Sequence, residues 1–302
     1  MTPKSVIYDQ GYRRYEGRYL GRGYAIWSLF ASDLRRALGV KRSWQYKVGL
    51  GILATIIFAQ ALTFFFVSTV GPAALITPQA MLFDGMSFFL LILSAMIAPD
   101  LLCTDRRYRV LPLYLVRPIE LYDYLLAKQA VLVGVVALAS FIPQLGIFLA
   151  KALIAPSALE YVSTHGWMVG ASAAASLVYA LFYGAIASAI AALTPRWSYA
   201  AGAIIAVPVA LGLASGIITI LTKNPWWQLL DILSFPSALK DALFGVTIQA
   251  TTFTFRMGRE GEIPREVTMQ PLETWIYGVA AGAFIVGALG ILFARYVRAR
   301  YE

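Results

Sequence analysis

Six stretches of this chain are long and apolar enough to cross a lipid bilayer, which takes about 20 apolar residues in a helix. The 302-residue chain is 59% hydrophobic and only 14% charged, against about 25% charged residues in an average soluble domain. The sequence therefore predicts an all-α membrane protein with six transmembrane helices, at residues 48–70, 81–102, 129–150, 167–193, 200–221 and 274–294. We expect residues 1–47 to form a cytoplasmic N-terminal arm and an interfacial helix, and residues 48–302 to form the six-helix transmembrane domain.

The Lys and Arg residues are distributed unevenly between the two sides of the predicted spans. Nineteen of the 25 lie on the side of the N-terminus, and six lie on the other side. Positively charged loops stay in the cytoplasm, so both termini are predicted to be cytoplasmic. The expected location is the cytoplasmic (inner) membrane of a prokaryote, crossed several times. The net charge of +9 then suits the anionic cytoplasmic leaflet rather than nucleic acid.

Residues 223–273 are predicted to form the longest external segment. A seventh span through it is rejected, because it would bury three charged residues, Asp231, Lys240 and Asp241. We expect two short helices separated at Pro236, followed by a β-hairpin. The strands of this hairpin would place Phe253, Phe255 and Met257 opposite Ile263 and Val267. Such a flap over an exit would gate release, bind an accessory protein, or do neither.

Residues 25–38 show the pattern of an amphipathic helix lying along the inner leaflet. Apolar residues recur every four positions, at Ile26, Phe30, Leu34 and Leu38. We expect these side chains to enter the acyl boundary, while Arg35 and Arg36 meet lipid headgroups or a protein partner. Membrane lipids are thus an expected partner. The alternative is a soluble helix packed on another domain.

The segment "CTDRRYRVLPLYLVRPIELYDYLLAK", residues 103–128, separates the second and third predicted spans. From Asp100 onward the pattern is D-(x4)-DRR-x-R-x-L-P-L-Y-L-x-R-P-(x5)-Y-L-L-x-K. It closely resembles the cytoplasmic loop between the second and third helices of permease subunits in the type-2 exporter family of ABC transporters. Ala127 stands where that family often has glycine. Residues 231–242 resemble, less specifically, the short helices that the family carries between its fifth and sixth spans.

The resemblance implies that segment 103–128 is the coupling loop on which a separate ABC ATPase subunit docks. Pro112 and Pro118 force a turn, so a short element should lie crosswise on the cytoplasmic side. The expected docking residues are Asp100, Asp105, Arg106, Arg107, Arg109, Leu113, Tyr114, Leu115, Arg117 and Pro118. Their arginine forks would bind carboxylates of the ATPase subunit, while the two aspartates pair with nearby arginines and hold the helix end. The alternative is that the arginines only fix the topology and bind anionic lipid.

The sequence contains no phosphate-binding loop of the form GxxxxGK[ST]. We therefore expect no enzyme activity from this chain, with ATP and Mg²⁺ bound by the partner ATPase subunit. Ion-coupled transporters carry ionisable residues at mid-membrane, and the centres of the six predicted spans have none. The single cysteine, Cys103, and the single histidine, His165, exclude an internal disulfide, a thiolate metal cluster and paired-imidazole sites. No metal or cofactor is expected on this chain.

Small residues form a smooth strip along the fourth predicted span, and another helix should lie closely against it. They are Ser172, Ser176, Ala180, Gly184 and Ser188. The family resemblance implies that two permease subunits, identical or related, meet through their first, second and fifth spans around a polar pathway. Pathway candidates on those spans are Gln60, Thr63, Ser94 and Thr219. The alternative is that these side chains bond to the backbone one turn away.

The predicted function is that of a permease subunit in an ATP-driven exporter that works by alternating access. Apolar, uncharged spans suggest an amphipathic or hydrophobic cargo such as a drug, a lipid or a peptide. One alternative is metal-cofactor maturation or Na⁺ extrusion, both served by relatives in the resembled family. The other is a membrane scaffold or sensor whose cytoplasmic loop binds a regulator without moving a substrate.

Overall fold

The computed structural model describes residues 21–40, 42–70, 78–108, 119–246, 251–255, 265–269 and 272–299. Within these residues the chain forms a bundle of helices and one pair of short strands. The α-helices are α1 (Arg22–Ala37), α2 (Trp44–Val70), α3 (Pro78–Arg107), α4 (Leu121–Ile154), α5 (Ala158–His165), α6 (Trp167–Leu193), α7 (Trp197–Thr222), α8 (Ser234–Phe244) and α9 (Thr274–Ala299). A 3₁₀ helix spans Pro225–Leu230, and the strands are β1 (Thr251–Phe255) and β2 (Arg265–Met269).

Six of these helices, α2, α3, α4, α6, α7 and α9, are long and apolar enough to cross a membrane. The chain is therefore a multi-pass membrane protein, as the sequence predicts. Three helices extend five or more residues beyond one end of the predicted spans: α3 runs to Arg107 rather than to 102, α4 begins at Leu121 rather than at 129, and α9 runs to Ala299 rather than to 294. Glu120 and Asp123 fix that start through a capping box, in which each side chain accepts a hydrogen bond from the other residue's backbone N–H.

Helices α3 and α6 form the centre of the bundle. Helix α6 packs against α3, α4, α7, α8 and α9, and small side chains allow its neighbours to approach. The strip predicted along α6 is buried at Ser172, Ser176, Ala180, Gly184 and Ser188. In the middle of this strip, α4 lies so close that a Cβ atom on Gly184 would be 3.1 Å from both Gln129 Nε2 and Val133 Cγ2.

A larger side chain at position 184 should therefore weaken the contact between α4 and α6. We expect Gly184→Leu to lower the free energy of unfolding by about 1–2 kcal/mol, because the added atoms overpack this contact. The control is Gly202→Leu on α7, where an added Cβ meets no atom within 4 Å. Unfolding by SDS in mixed micelles measures both variants. If Gly184→Leu and Gly202→Leu have the same free energy of unfolding, α4 and α6 do not pack tightly at Gly184.

The bundle has an α1 end and an α8 end. The α1 end consists of α1, the last turn of α3 and the first turn of α4. At this end the Tyr296 hydroxyl donates a hydrogen bond to Leu102 O over 3.1 Å. The α8 end consists of the 3₁₀ helix, α8 and the first turn of α3, and there Gln144 Nε2 donates a hydrogen bond to Gln79 O over 3.0 Å. Side-chain-to-backbone hydrogen bonds thus fix α3 to its neighbours at both ends.

The chain after α7 enters the 3₁₀ helix and α8, which pack on α7, α6 and α9. The sequence predicts a break at Pro236, and this is wrong: the break lies at residues 231–233, and Pro236 occupies the first turn of α8. Proline is tolerated there because the first N–H groups of a helix have no partner within it. Asp231 makes the turn instead, since its Oδ1 accepts a hydrogen bond from the Leu233 N–H over 3.1 Å.

Strands β1 and β2 pair antiparallel between α8 and α9. The register pairs Phe253 with Val267 and Phe255 with Arg265. The other residues expected in this hairpin, Met257 and Ile263, lie outside the described residues.

Helix α1 packs mainly on α4 and also on α3. Its innermost face carries one buried residue per turn, at Leu29, Asp33 and Ala37. The predicted apolar residues pack against the bundle core beside that face and are partly buried, at Ile26, Phe30 and Leu34. Trp27 and Leu38 are exposed. Helix α1 therefore contacts the bundle with one face and turns further apolar side chains outward.

Candidate functional site

Six charged side chains meet inside the α1 end of the bundle. They are Asp33 and Arg36 of α1, Arg42 of the α1–α2 connection, Asp100 and Asp105 of α3, and Lys128 of α4. We call this group the ionic cluster, and its three carboxylates balance its three cations. Charges removed from water are stable only when they are paired and hydrogen-bonded. The ionic cluster therefore holds α1, α3 and α4 in one arrangement.

Lys128 lies at the centre of the ionic cluster, with its side chain 2% exposed. Its Nζ atom is 2.8 Å from Asp105 Oδ2 and 3.2 Å from Asp33 Oδ2, and it donates to Leu101 O over 2.8 Å. The Tyr124 hydroxyl donates to the same Asp105 Oδ2 over 2.9 Å. Lys128 thus connects the beginning of α4 to the last turns of α3 and to α1.

Arg36 binds both aspartates of α3. Its Nε atom is 3.1 Å from Asp100 Oδ2, its Nη2 donates to Asp100 O over 2.7 Å, and its Nη1 is 3.2 Å from Asp105 Oδ1. Arg42 also pairs with Asp100. The sequence predicts Arg36 at lipid headgroups or a protein partner, whereas its guanidinium pairs within the chain, because these buried carboxylates need cations. Arg35, the residue before Arg36, is exposed.

Burial changes the acidity of Asp33. It raises the pKa of Asp33 above the ordinary value of 3.8, although the nearby Lys128 ammonium opposes the change. The folded chain therefore holds a proton at Asp33 more tightly than the unfolded chain does. This contribution to stability is complete below pH 3.8, and it is lost as the pH rises through the raised pKa.

Asp33→Asn should therefore flatten the pH dependence of stability. Because an amide does not titrate, we expect the variant to gain stability relative to the native chain as the pH rises from acid to neutral. Unfolding midpoints measured across that range test this. The control is Ser32→Asn, at an exposed position of α1. Parallel pH profiles for the native chain and Asp33→Asn would show that Asp33 does not titrate differently on folding.

The two described arginines of segment 103–128 have different surroundings. Arg106 donates from Nη1 to Ala192 O at the end of α6, and its guanidinium lies 5.9 Å from the centre of the Tyr296 ring. Arg106 is half-buried and binds α6 within the chain through this nitrogen, and its contact with a docking partner stays a prediction. Arg107 is exposed, beside Tyr108. Of the two, Arg107 is the one that faces outward.

Six predicted docking residues lie outside the described residues: Arg109, Leu113, Tyr114, Leu115, Arg117 and Pro118. Both flanks of this stretch are described. The ionic cluster holds the α3 flank, while at the α4 flank Arg22 is 3.1 Å from Glu120 Oε1 and 2.9 Å from Asp123 Oδ2. Water screens such an exposed ion pair, so it adds little stability. It nevertheless places the start of α1 beside the start of α4.

The four predicted pathway residues differ in their surroundings. Thr63 and Ser94 each donate from the hydroxyl to a backbone carbonyl one turn earlier, over 2.9 Å, which is the bonding of the alternative interpretation. Gln60 and Thr219 each carry a buried oxygen that has no hydrogen-bond partner within the described residues. These two candidates therefore each carry an unpaired polar atom, and Thr219 is buried within the chain, at 2% exposed.

A second buried cation lies at the α8 end. Lys240 Nζ is 2.7 Å from both carboxylate oxygens of Asp84 and 2.9 Å from Asp241 Oδ1, and it donates to Ala80 O over 3.2 Å. The Lys240 side chain is 1% exposed, whereas that of Asp84 is 53% exposed. The sequence predicts Lys240 in the external segment, and the structure buries its ammonium between α8 and the first turns of α3.

Sequence reasoning missed Asp33, Lys128 and Lys240 as pairing residues. A signal for Asp33 is present in the sequence, because it lies four residues from both Leu29 and Ala37 on the face that is buried. Lys128 carries a weaker signal, as a single charge between apolar stretches of one helix. Neither pattern identifies the partner on another helix.

No protein-family model matches this chain, and no curated protein matches its sequence. Within the described residues, no group of three or more His, Cys, Asp and Glu side chains could hold a metal ion. The interpretation of the α1 end therefore depends on the geometry and charge of its own side chains.

Proposed function

We propose that this chain is the permease subunit of an ATP-driven exporter and that a separate ABC-type ATPase subunit docks on segment 103–128. The observation that carries the proposal is the ionic cluster, which joins α3 and α4 at the two ends of the stretch between them. Lys128 Nζ of α4 lies 2.8 Å from Asp105 Oδ2 of α3. A force on a stretch whose flanking helices are fixed to each other displaces both helices together.

Helix α3 provides a route from that stretch to the interior of the bundle. It packs against α2, α4, α6 and α7, and it is bound by Arg36 near one end and by Lys240 near the other. A helix held at both ends in this way transmits a displacement to the helices packed on it, and packed interfaces respond to such movements by switching between discrete arrangements. Alternating access requires a transition of this kind.

Charge supports docking on the cytoplasmic face. Arg107 is exposed, and Arg109 and Arg117 follow in the sequence. Planar guanidinium groups bind carboxylates in a two-point geometry that suits a protein surface. The distribution of Lys and Arg would place this segment and both termini in the cytoplasm of a prokaryotic cell, where ATP is available. ATP and Mg²⁺ would bind to the ATPase subunit.

The cargo would be amphipathic or hydrophobic, such as a drug, a lipid or a peptide, because the six long helices are apolar over most of their length. A second permease subunit, identical or related, would complete the pathway. Helices α2 and α7 are among the least buried of the six, so they have apolar surface for such a contact. Gln60 on α2 would then line the pathway, whereas Thr219 on α7 is 2% exposed and would reach it only after α7 repacks.

Purification of the tagged full chain from its native membranes tests the proposal. We expect an ATPase subunit with a phosphate-binding loop to copurify in a fixed ratio and to hydrolyse Mg-ATP. Arg117→Glu should reduce the copurified ATPase activity by about tenfold or more, since reversing a charge at a docking contact costs more than about 1.4 kcal/mol.

The control for this charge reversal is Arg196→Glu, which changes an exposed arginine between α6 and α7 on the same predicted side. It should leave the copurified activity unchanged, with both variants present in the membrane at the native level. Full recovery of the ATPase subunit with Arg117→Glu would overturn docking at this segment. Purification of the native chain without any ATPase subunit would favour the scaffold or sensor alternative.

A further inference from the structure

Among the described residues, an open apolar groove lies between α1 and α4 at the α1 end. Its volume is about 470 Å³, within the range of roughly 300–1,000 Å³ for ligand sites. The α1 wall is formed by Gly23, Ile26, Trp27 and Phe30. The α4 wall is formed by Leu126, Ala127 and Ala130, with Asp123 one turn nearer the start of the helix.

The lining of the groove selects for hydrocarbon. Apart from Asp123, the lining residues are apolar or glycine. The Asp123 carboxylate is already bound by Arg22, whose Nε atom is 2.9 Å from Oδ2. A polar ligand would therefore lose its contacts with water and gain few in return, whereas an apolar ligand gains from leaving water.

The groove lies at one end of the outward side of α4. Leu126, 66% exposed, and Ala130 line the groove, and beyond the half-buried Gly134 the same side exposes Leu138, Ile142 and Leu149. On the opposite wall, the Trp27 side chain is 63% exposed, and tryptophan is enriched where proteins meet the membrane interface. A lipid lying along α4 would thus reach the groove without crossing water.

We infer that this groove holds one acyl chain of a membrane phospholipid, inserted between α1 and α4. The inner faces of the same two helices carry Asp33 and Lys128, whose charged groups are 3.2 Å apart. A bound acyl chain therefore supports the ionic cluster from the lipid side. The inference depends on the chain spanning a membrane and is independent of any ATPase subunit.

Brominated lipid tests the inference, because bromine on an acyl chain quenches tryptophan fluorescence on contact. The full chain is reconstituted in vesicles of phosphatidylcholine dibrominated in its acyl chains, then extracted into detergent and washed free of bulk lipid. Subtracting the fluorescence of Trp27→Phe from that of the native chain gives the signal of Trp27, and Trp275→Phe gives the signal of Trp275 in the same way. We expect the quenching of Trp27 to remain after the wash. The quenching of Trp275, which is exposed on α9, should be lost.

A variant that fills the groove provides the second measurement. Gly23 lines the groove, and an added Cβ there meets no atom within 4 Å, so Gly23→Phe adds a ring at the groove without a backbone clash. It should lose the retained quenching of Trp27, whereas Gly146→Phe, at an equally open position of α4, should keep it.

Two results would overturn the inference. The first is loss of Trp27 quenching in the native chain during the same wash that removes the quenching of Trp275, which would indicate ordinary surrounding lipid. The second is that brominated lipid does not quench Trp27, that the native chain has the mass of a dimer, and that Gly23→Phe has the mass of a monomer. A second copy of the chain would then occupy the groove.

Discussion

Replacing Lys128 with methionine should lower the free energy of unfolding by about 3–5 kcal/mol, the cost of leaving a buried charge without its partner. The Lys128 side chain is 2% exposed, and the carboxylates that it pairs, those of Asp33 and Asp105, are each 5% exposed. Water therefore cannot take the place of the missing ammonium. Unfolding by SDS in mixed micelles, followed by tryptophan fluorescence, measures the change.

The matched control is Lys151→Met, on the same helix near the α8 end. Within the described residues Lys151 takes part in no ion pair, so its replacement should change the unfolding free energy by less than about 1 kcal/mol. If Lys128→Met costs no more than Lys151→Met, the ionic cluster does not hold α1, α3 and α4 together.

Lys240→Met should have the second largest effect, about 3 kcal/mol, at the lower end of the range for breaking a buried ion pair. The reason for the smaller loss is the exposure of the partners. The side chains of Asp84 and Asp241 are 53% and 22% exposed, so water can solvate them when the ammonium is removed. The same SDS titration measures this variant.

Lys223→Met provides the control at the α8 end, because Lys223 is an exposed residue at the end of α7. It should remain within about 0.5 kcal/mol of the native chain. A larger loss for Lys240→Met than for Lys128→Met would show that the exposure of the carboxylates does not determine the cost.

The membrane helices were predictable because apolar length is a local property of the sequence. The span predicted at 167–193 has the bounds of α6, Trp167–Leu193. The start of α4 was predicted less well, since Glu120 and Asp123 cap the helix and hydropathy counts such polar residues as the end of a span. The break predicted at Pro236 is wrong for a related reason. Proline can occupy the first turn of a helix as well as separate two helices.

The ion pairs were not predictable because they join residues far apart in the sequence. Arg36 and Asp100 are 64 positions apart, and Lys240 and Asp84 are 156 apart. Periodicity predicts the face of a helix on which a residue lies, and it contains no information about which other helix supplies the partner. The sequence therefore assigns Arg36 to lipid headgroups or a protein partner, although carboxylates of the same chain bind it.

The accessibility of segment 103–128 tests most directly the claim that an ATPase subunit drives this chain from the cytoplasm. Tyr114→Cys introduces a thiol in the predicted docking stretch, while the native Cys103 is buried. A membrane-impermeant maleimide should label Tyr114→Cys in inside-out vesicles stripped of the ATPase subunit, and the bound ATPase subunit should block that labelling. Labelling of intact cells from outside, or labelling that the ATPase subunit leaves unchanged, would contradict the account.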